Sequence, residues 1–213
     1  MKLILAPLAA IALMAVPVAA SAVALTSIGG PNDYSMVDVS TNAAPVALPA
    51  FASWSAAPTI RSGNISGIAR SPFDETVSDT FTSSLAGAID LMYFAVGPDN
   101  PANPAILSFS RQMSSLSFLW GSPDDYNGLT FYLNGMQVGG PFDQTDVNPP
   151  LAPTNPPTSN VYVTFTGPFD EVRFASSSNA FEFTGLSARV PAPATLALLC
   201  GGLVVLGLVR RQR

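Results

Sequence analysis

The side chains best placed to do chemistry are those that carry oxygen. Between Gly121 and Gly128 the run Asp124-Asp125-Tyr126-Asn127 gathers three hard-oxygen groups and one aromatic ring in a short loop. Asp124, Asp125 and Asn127 are ligand types that Ca²⁺ accepts, so calcium is the one cofactor the sequence offers. The EF-hand spacing and its bidentate glutamate are both absent. Asp and Asn also build tight turns by bonding to nearby backbone, and turn chemistry is the simpler expectation. Tyr126 is the candidate for an exposed ligand contact. With Trp54, Trp120 and Tyr132 it could make a flat platform for sugar rings, although Trp120 lies in an apolar run and is expected in the core.

Carboxylates are plentiful: Asp74, Glu75, Asp79, Asp124, Asp125, Asp170, Glu171 and Glu182. A two-carboxylate glycosidase needs a facing pair at fixed separation. Neighbours such as Asp74 and Glu75 point to opposite faces of a strand. Solvated surface charge is the expectation for all eight. The chain has no histidine, and its one cysteine, Cys200, lies in an apolar stretch near the end. Ser-His-Asp and Cys-His nucleophiles, His/Cys zinc sites and disulfides within the body are therefore excluded. No catalytic residue is assigned, and an enzyme is not expected.

Strands must hold these groups. Ile89 to Val96 is a bulky apolar run stopped by Gly97-Pro98, and Ile106 to Ser110 and Leu116 to Trp120 are two more short candidates. Leu129 to Leu133, Asn134-Gly135 and Met136 to Val138 spell a hairpin, because Asn-Gly supplies the two positive-φ residues of a type I′ turn. In Val161 to Thr166 the valines and Phe165 alternate with Tyr162 and the threonines. Val172 and Phe174 alternate around Arg173, and Phe181 and Phe183 around Glu182. One greasy and one wet face predict an all-β body, an antiparallel sandwich or jelly-roll-like pair of sheets. Val37 to Val39 and Ile65 to Ile68 are weaker strand candidates. The five prolines of Asp146 to Asn160 predict an extended surface loop.

The ends follow other rules. Met1 to Ala22 has Lys2, an apolar run from Leu3 to Val18 and a small-residue exit at Ala20-Ser21-Ala22, the three regions of a signal peptide. Ala20 and Ala22 form the expected signal-peptidase site. The body is residues 23–190, and residues 191–213 are a tail. Within the tail, Thr195 to Val209 is apolar throughout, and Arg210, Arg211 and Arg213 follow. About 15 apolar residues fall short of the roughly 20 a spanning helix needs. The arginines should stay on the cytoplasmic side as a stop. Five arginines and fourteen acids give the body a net charge of −9, which repels nucleic-acid phosphate.

Val190-Pro191-Ala192-Pro193, a glycine-bearing apolar stretch and the final Arg210-Arg211-Gln212-Arg213 closely resemble the PEP-CTERM sorting signal recognised by exosortases. Ala192 stands where that signal usually has glutamate. Leu116 to Tyr132 looks like the strand-turn-strand signature of one group of exosortase-dependent surface proteins. Asn179 to Phe183 is similar to that group's closing strand, with Thr184-Gly185 in place of its usual Asp-Asn. The resemblance implies export across the inner membrane, transient membrane anchoring through the tail, removal of the tail by an exosortase and delivery to the cell surface. The family is associated with extracellular polysaccharide, and a structural or adhesive role in the matrix or biofilm is the expected function. Signal peptidase, exosortase, the membrane and a polysaccharide are the expected partners. A carbohydrate-binding module is the alternative, and a carboxylate-only hydrolase or lyase the second.

Overall fold

The computed structural model describes residues 22–29, 48–73, 91–147 and 160–191. The strands are β1 (Ala24–Gly29), β2 (Ala52–Ala56), β3 (Thr59–Ser62), β4 (Met92–Val96), β5 (Ala105–Gly121), β6 (Asn127–Leu133), β7 (Met136–Phe142), β8 (Val161–Ser176) and β9 (Phe181–Arg189). One helical turn, α1 (Gln144–Val147), follows β7. Every strand pair is antiparallel, in the order β3-β4-β9-β5-β8-β6-β7, with β1 added to β8 and β2 to β5. The two sheets expected from sequence are thus one continuous hydrogen-bonded sheet.

Two long strands explain this. Ile106 to Ser110 and Leu116 to Trp120 are not separate strands but parts of β5, and Val161 to Thr166 and Val172 to Phe174 are parts of β8. Each long strand serves two sets of neighbours. β5 pairs with β2 over Ile106–Phe109 and with β9 over Ser115–Gly121. β8 pairs with β1 over Tyr162–Thr166 and with β6 over Glu171–Ser176. Between those halves the β5–β8 register shifts from Ser108 to Ser115, and Gly167 opposite adopts φ 142°. Such bulges bend a strand pair.

The bend is large. Ala105 pairs with Phe174 and Trp120 with Phe183. In a straight strand these positions would be about 50 Å apart, yet the Phe174 and Phe183 rings stack with centroids 4.2 Å apart and planes 9° apart. The sheet therefore folds over onto itself and traps an aromatic core. Trp120 stacks on Phe181 at 4.4 Å, Phe118 packs edge-on against Phe174, and Trp54 of β2 meets Phe94 of β4 at 5.4 Å. The hairpin has its expected turn, with Asn134 at φ 51° and Gly135 at φ 77°. Ile65 to Ile68 makes only an isolated bridge, Ile65 to Ala69.

The region around β4, β9 and the end of β5 is buried on both faces. Behind the main core lie Ala69, Phe73, Tyr93, Ala95, Leu119, Tyr162 and Ala180. The segment from Asn64 to Phe73 covers them, tied down where Asn160 Nδ2 donates to the Pro72 carbonyl at 2.6 Å and Asn179 Nδ2 to the Gly67 carbonyl at 3.1 Å. Tyr162, expected to face water, is therefore buried. The apolar continuity of Val161-Tyr162-Val163 fits a strand covered on both faces.

Candidate functional site

The most unusual chemical environment surrounds Glu182. It pairs with Ala95 on one side and Gly121 on the other, two residues too small to crowd it. Pro72 fills the space above: a Cβ on Gly121 would lie 3.0 Å from the Pro72 ring and 3.1 Å from the Glu182 side chain. Glu182 is only 3% exposed, and Oε1 accepts the Arg70 backbone N–H at 2.7 Å. The expectation of solvated charge at this position fails. Burial pushes its pKa from 4.5 to about 8, helped by Asp124 and opposed by the Arg70 N–H and guanidinium. At neutral pH the carboxyl holds its proton.

Around it stand two tyrosines and a second acid. The Tyr93 hydroxyl donates to the Gly63 carbonyl at 2.8 Å. Burial, and then the nearby Glu182 carboxyl, raise its pKa, with Arg61 opposing. Asp124 is half-buried. Burial lifts its pKa, the Tyr126 hydroxyl lowers it and Asp125 adds a smaller rise. Burial and the Asp124 carboxylate together raise the Tyr126 pKa. Tyr126 is within reach of the Asn179 carbonyl as well, at 3.2 Å. Expected as an exposed contact, it is half-buried and joins the loop to the approach of β9.

The loop from Ser122 to Asn127 is built as a turn. Asn127 N donates to the Asp124 carbonyl at 3.2 Å, and Ser122 N to Asn160 Oδ1 at 3.0 Å. Asp125 is exposed, whereas Asn127 is buried with Oδ1 2.8 Å from Ser176 Oγ. The three expected calcium ligands thus differ in burial, and two, Asp124 through Tyr126 and Asn127 through Ser176, already have protein partners. Among the described residues no group of three or more His, Cys, Asp or Glu side chains could hold a metal ion.

The proposed aromatic platform does not assemble. Trp120 is fully buried, and Trp54 packs on Phe94, Phe174 and Phe183. Tyr132 lies under the Arg173 guanidinium, 4.1 Å from the ring centroid, and Arg173 also pairs with Glu171 at 2.7 Å. Asp170 accepts the Asn134 N–H at 2.9 Å and so fastens the hairpin turn. Asp74, Glu75 and Asp79 lie outside the described residues, as do Val37 to Val39 and most of the proline loop.

At the domain ends, Ala22 is exposed, whereas Val23 is 4% exposed and donates its N–H to the Val138 carbonyl at 2.8 Å. β9 finishes at Arg189, and Val190 and Pro191 are exposed. Ala20, Ala192, Pro193, the apolar tail, Arg210, Arg211 and Arg213 lie outside the described residues. Among the described residues no helix is long and apolar enough to cross a membrane.

Sequence reasoning missed the role of Glu182. Its cover comes from Asn64 to Phe73, more than a hundred residues upstream and without strand periodicity, so no residue near Glu182 in the sequence signals it. Comparison with protein-family models, curated proteins and solved structures finds no match to this chain.

Proposed function

We propose that this is an exported surface protein whose body is a jelly-roll-like sandwich with a structural or adhesive role, released from its membrane tail by an exosortase. The observation that carries the reading is the end of the last strand. β9 stops at Arg189, and the Val190-Pro191-Ala192-Pro193 motif begins at the next residue with Val190 45% exposed. A protease needs an extended, unpaired backbone, and proline supplies one by removing ladder donors and fixing φ. The folded-over sheet with its shared aromatic core supports the two-layer reading of the body. The polar groups of the Glu182 cluster are engaged in holding loops, which suits a scaffold.

Mass spectrometry of the mature protein from its native host tests this. The expected product lacks the leader and ends close to Pro191 to Pro193. A mature chain that retains Arg213 would refute exosortase processing. Pull-down with envelope polysaccharide separates a scaffold role from a carbohydrate-binding one.

A further inference from the structure

Val23 is a plug. Its side chain belongs to the main core, and its N–H is paired with β7 through Val138. Two glycines make the room it occupies. A Cβ on Gly139 would lie 2.8 Å from the Val23 Cβ and from its carbonyl oxygen. One on Gly167 would lie 2.7 Å from the Val23 Cα and 3.0 Å from the Ala22 carbonyl oxygen. The slot between β7 and β8 thus has walls without side chains, and Val23 fills it. Ala22 is exposed beside an open groove of about 480 Å³ that Gln137, Val138, Gly139 and Gly140 also line.

The small-x-small pattern that a leader peptidase reads occurs here in three overlapping frames, Ala19-Ala20-Ser21, Ala20-Ser21-Ala22 and Ala22-Val23-Ala24. Sequence favours cleavage after Ala22, and the fold bears on that choice. Cleavage after Ala24 would take Val23 out of the core, leave a hole between Gly139 and Gly167 that no side chain fills, and strip the Val138 carbonyl of its donor. Cleavage after Ser21 or after Ala22 preserves every one of these contacts, and only the latter makes Val23 the N-terminus.

We propose that the leader is cut between Ala22 and Val23 before the body closes, and that Val23, as the new N-terminus, then locks into the Gly139–Gly167 slot. The proposal rests on the exported reading above. In the cut, water adds its hydroxyl to the Ala22 carbonyl carbon, the C–N bond breaks, and the Val23 nitrogen takes the proton as an α-amine. That amine keeps one N–H on the Val138 carbonyl. The groove bordering Ala22 admits water to its remaining protons, so the new charge stays hydrated. In the closed body the same nitrogen is paired and Val23 is buried, which hides the bond from a peptidase.

Two measurements on the full chain test this. The mature N-terminus from the native host is expected at Val23. Leu25, or any other leaderless start, overturns this inference and leaves export standing; a body that keeps Met1 overturns both. Separately, the full precursor, folded in detergent without translocation, is offered to purified leader peptidase beside a synthetic peptide of residues 1–30. The folded precursor is expected to be cut about 100-fold more slowly, because cleavage then waits on local opening. Equal rates overturn the occlusion.

Discussion

Glu182 makes the stability of this protein depend on pH in a direction opposite to that of an ordinary paired carboxylate. In the unfolded chain it ionises near its ordinary value of 4.5, and in the folded body near 8. Below about pH 4.5 it is protonated in both states and costs nothing. Between 4.5 and 8 the folded body keeps a proton that the unfolded chain has released, so stability falls as pH rises. Above about 8 both states are ionised and the full cost is present. At roughly 1.4 kcal/mol per pH unit, the loss across this window is about 5 kcal/mol, a large part of the 5–15 kcal/mol typical of a domain. The upward shift of Asp124 has the same sign. Glu182→Gln keeps the shape and the acceptor for the Arg70 N–H while removing the ionisation. Urea unfolding of the protein from pH 5 to pH 9 should show wild-type stability declining and the variant nearly flat. The two should be close at pH 5 and widely separated at pH 9. Wild-type stability that holds level or rises through this range would refute the reasoning, as would a variant that declines in parallel.

Further outcomes follow from the packing. Gly135→Ala should cost about 1 kcal/mol in urea unfolding, because φ is 77° but nothing lies within 4 Å of the added methyl. Gly140→Ala should cost well over that, since φ is 80° and the methyl would run into the Leu129 carbonyl. Trp120→Ala should lose about 3–5 kcal/mol by the same assay, because the ring is wholly buried against Phe181 and Phe118. Millimolar Ca²⁺ should leave the melting temperature where chelator leaves it, given that Asn127 Oδ1 is already engaged by Ser176. A rise of several degrees with calcium would count against the turn reading of that loop.

Local signals read well in this sequence, and long-range ones did not. Asn134-Gly135 dictated its hairpin because the turn chemistry is contained in two residues. The Asp124 to Asn127 loop and the core position of Trp120 were legible for the same reason. β5 and β8 looked like four strands because Ser110-Arg111-Gln112 and Gly167-Pro168 have the composition of loops. In the fold they are the exposed or bulged corners of continuous strands. Period-two alternation placed Phe181, Phe183 and Phe165 in the core, yet misplaced Tyr162 and Glu182. Alternation says which residues share a face; it does not say whether a remote segment covers that face.

The position of β9 has a consequence for biogenesis. Although last of the described strands, it lies inside the sheet, clamped between β4 and β5. A polypeptide made from its N-terminus cannot complete this sheet until residue 189 has been added, so synthesis of the strands and closure of the sheet are separated in time. The same placement sets an inner limit on trimming at the rear. A nick beyond Arg189 leaves all nine described strands whole, whereas one within β9 cuts the keystone and lets β3 and β4 drift from the rest.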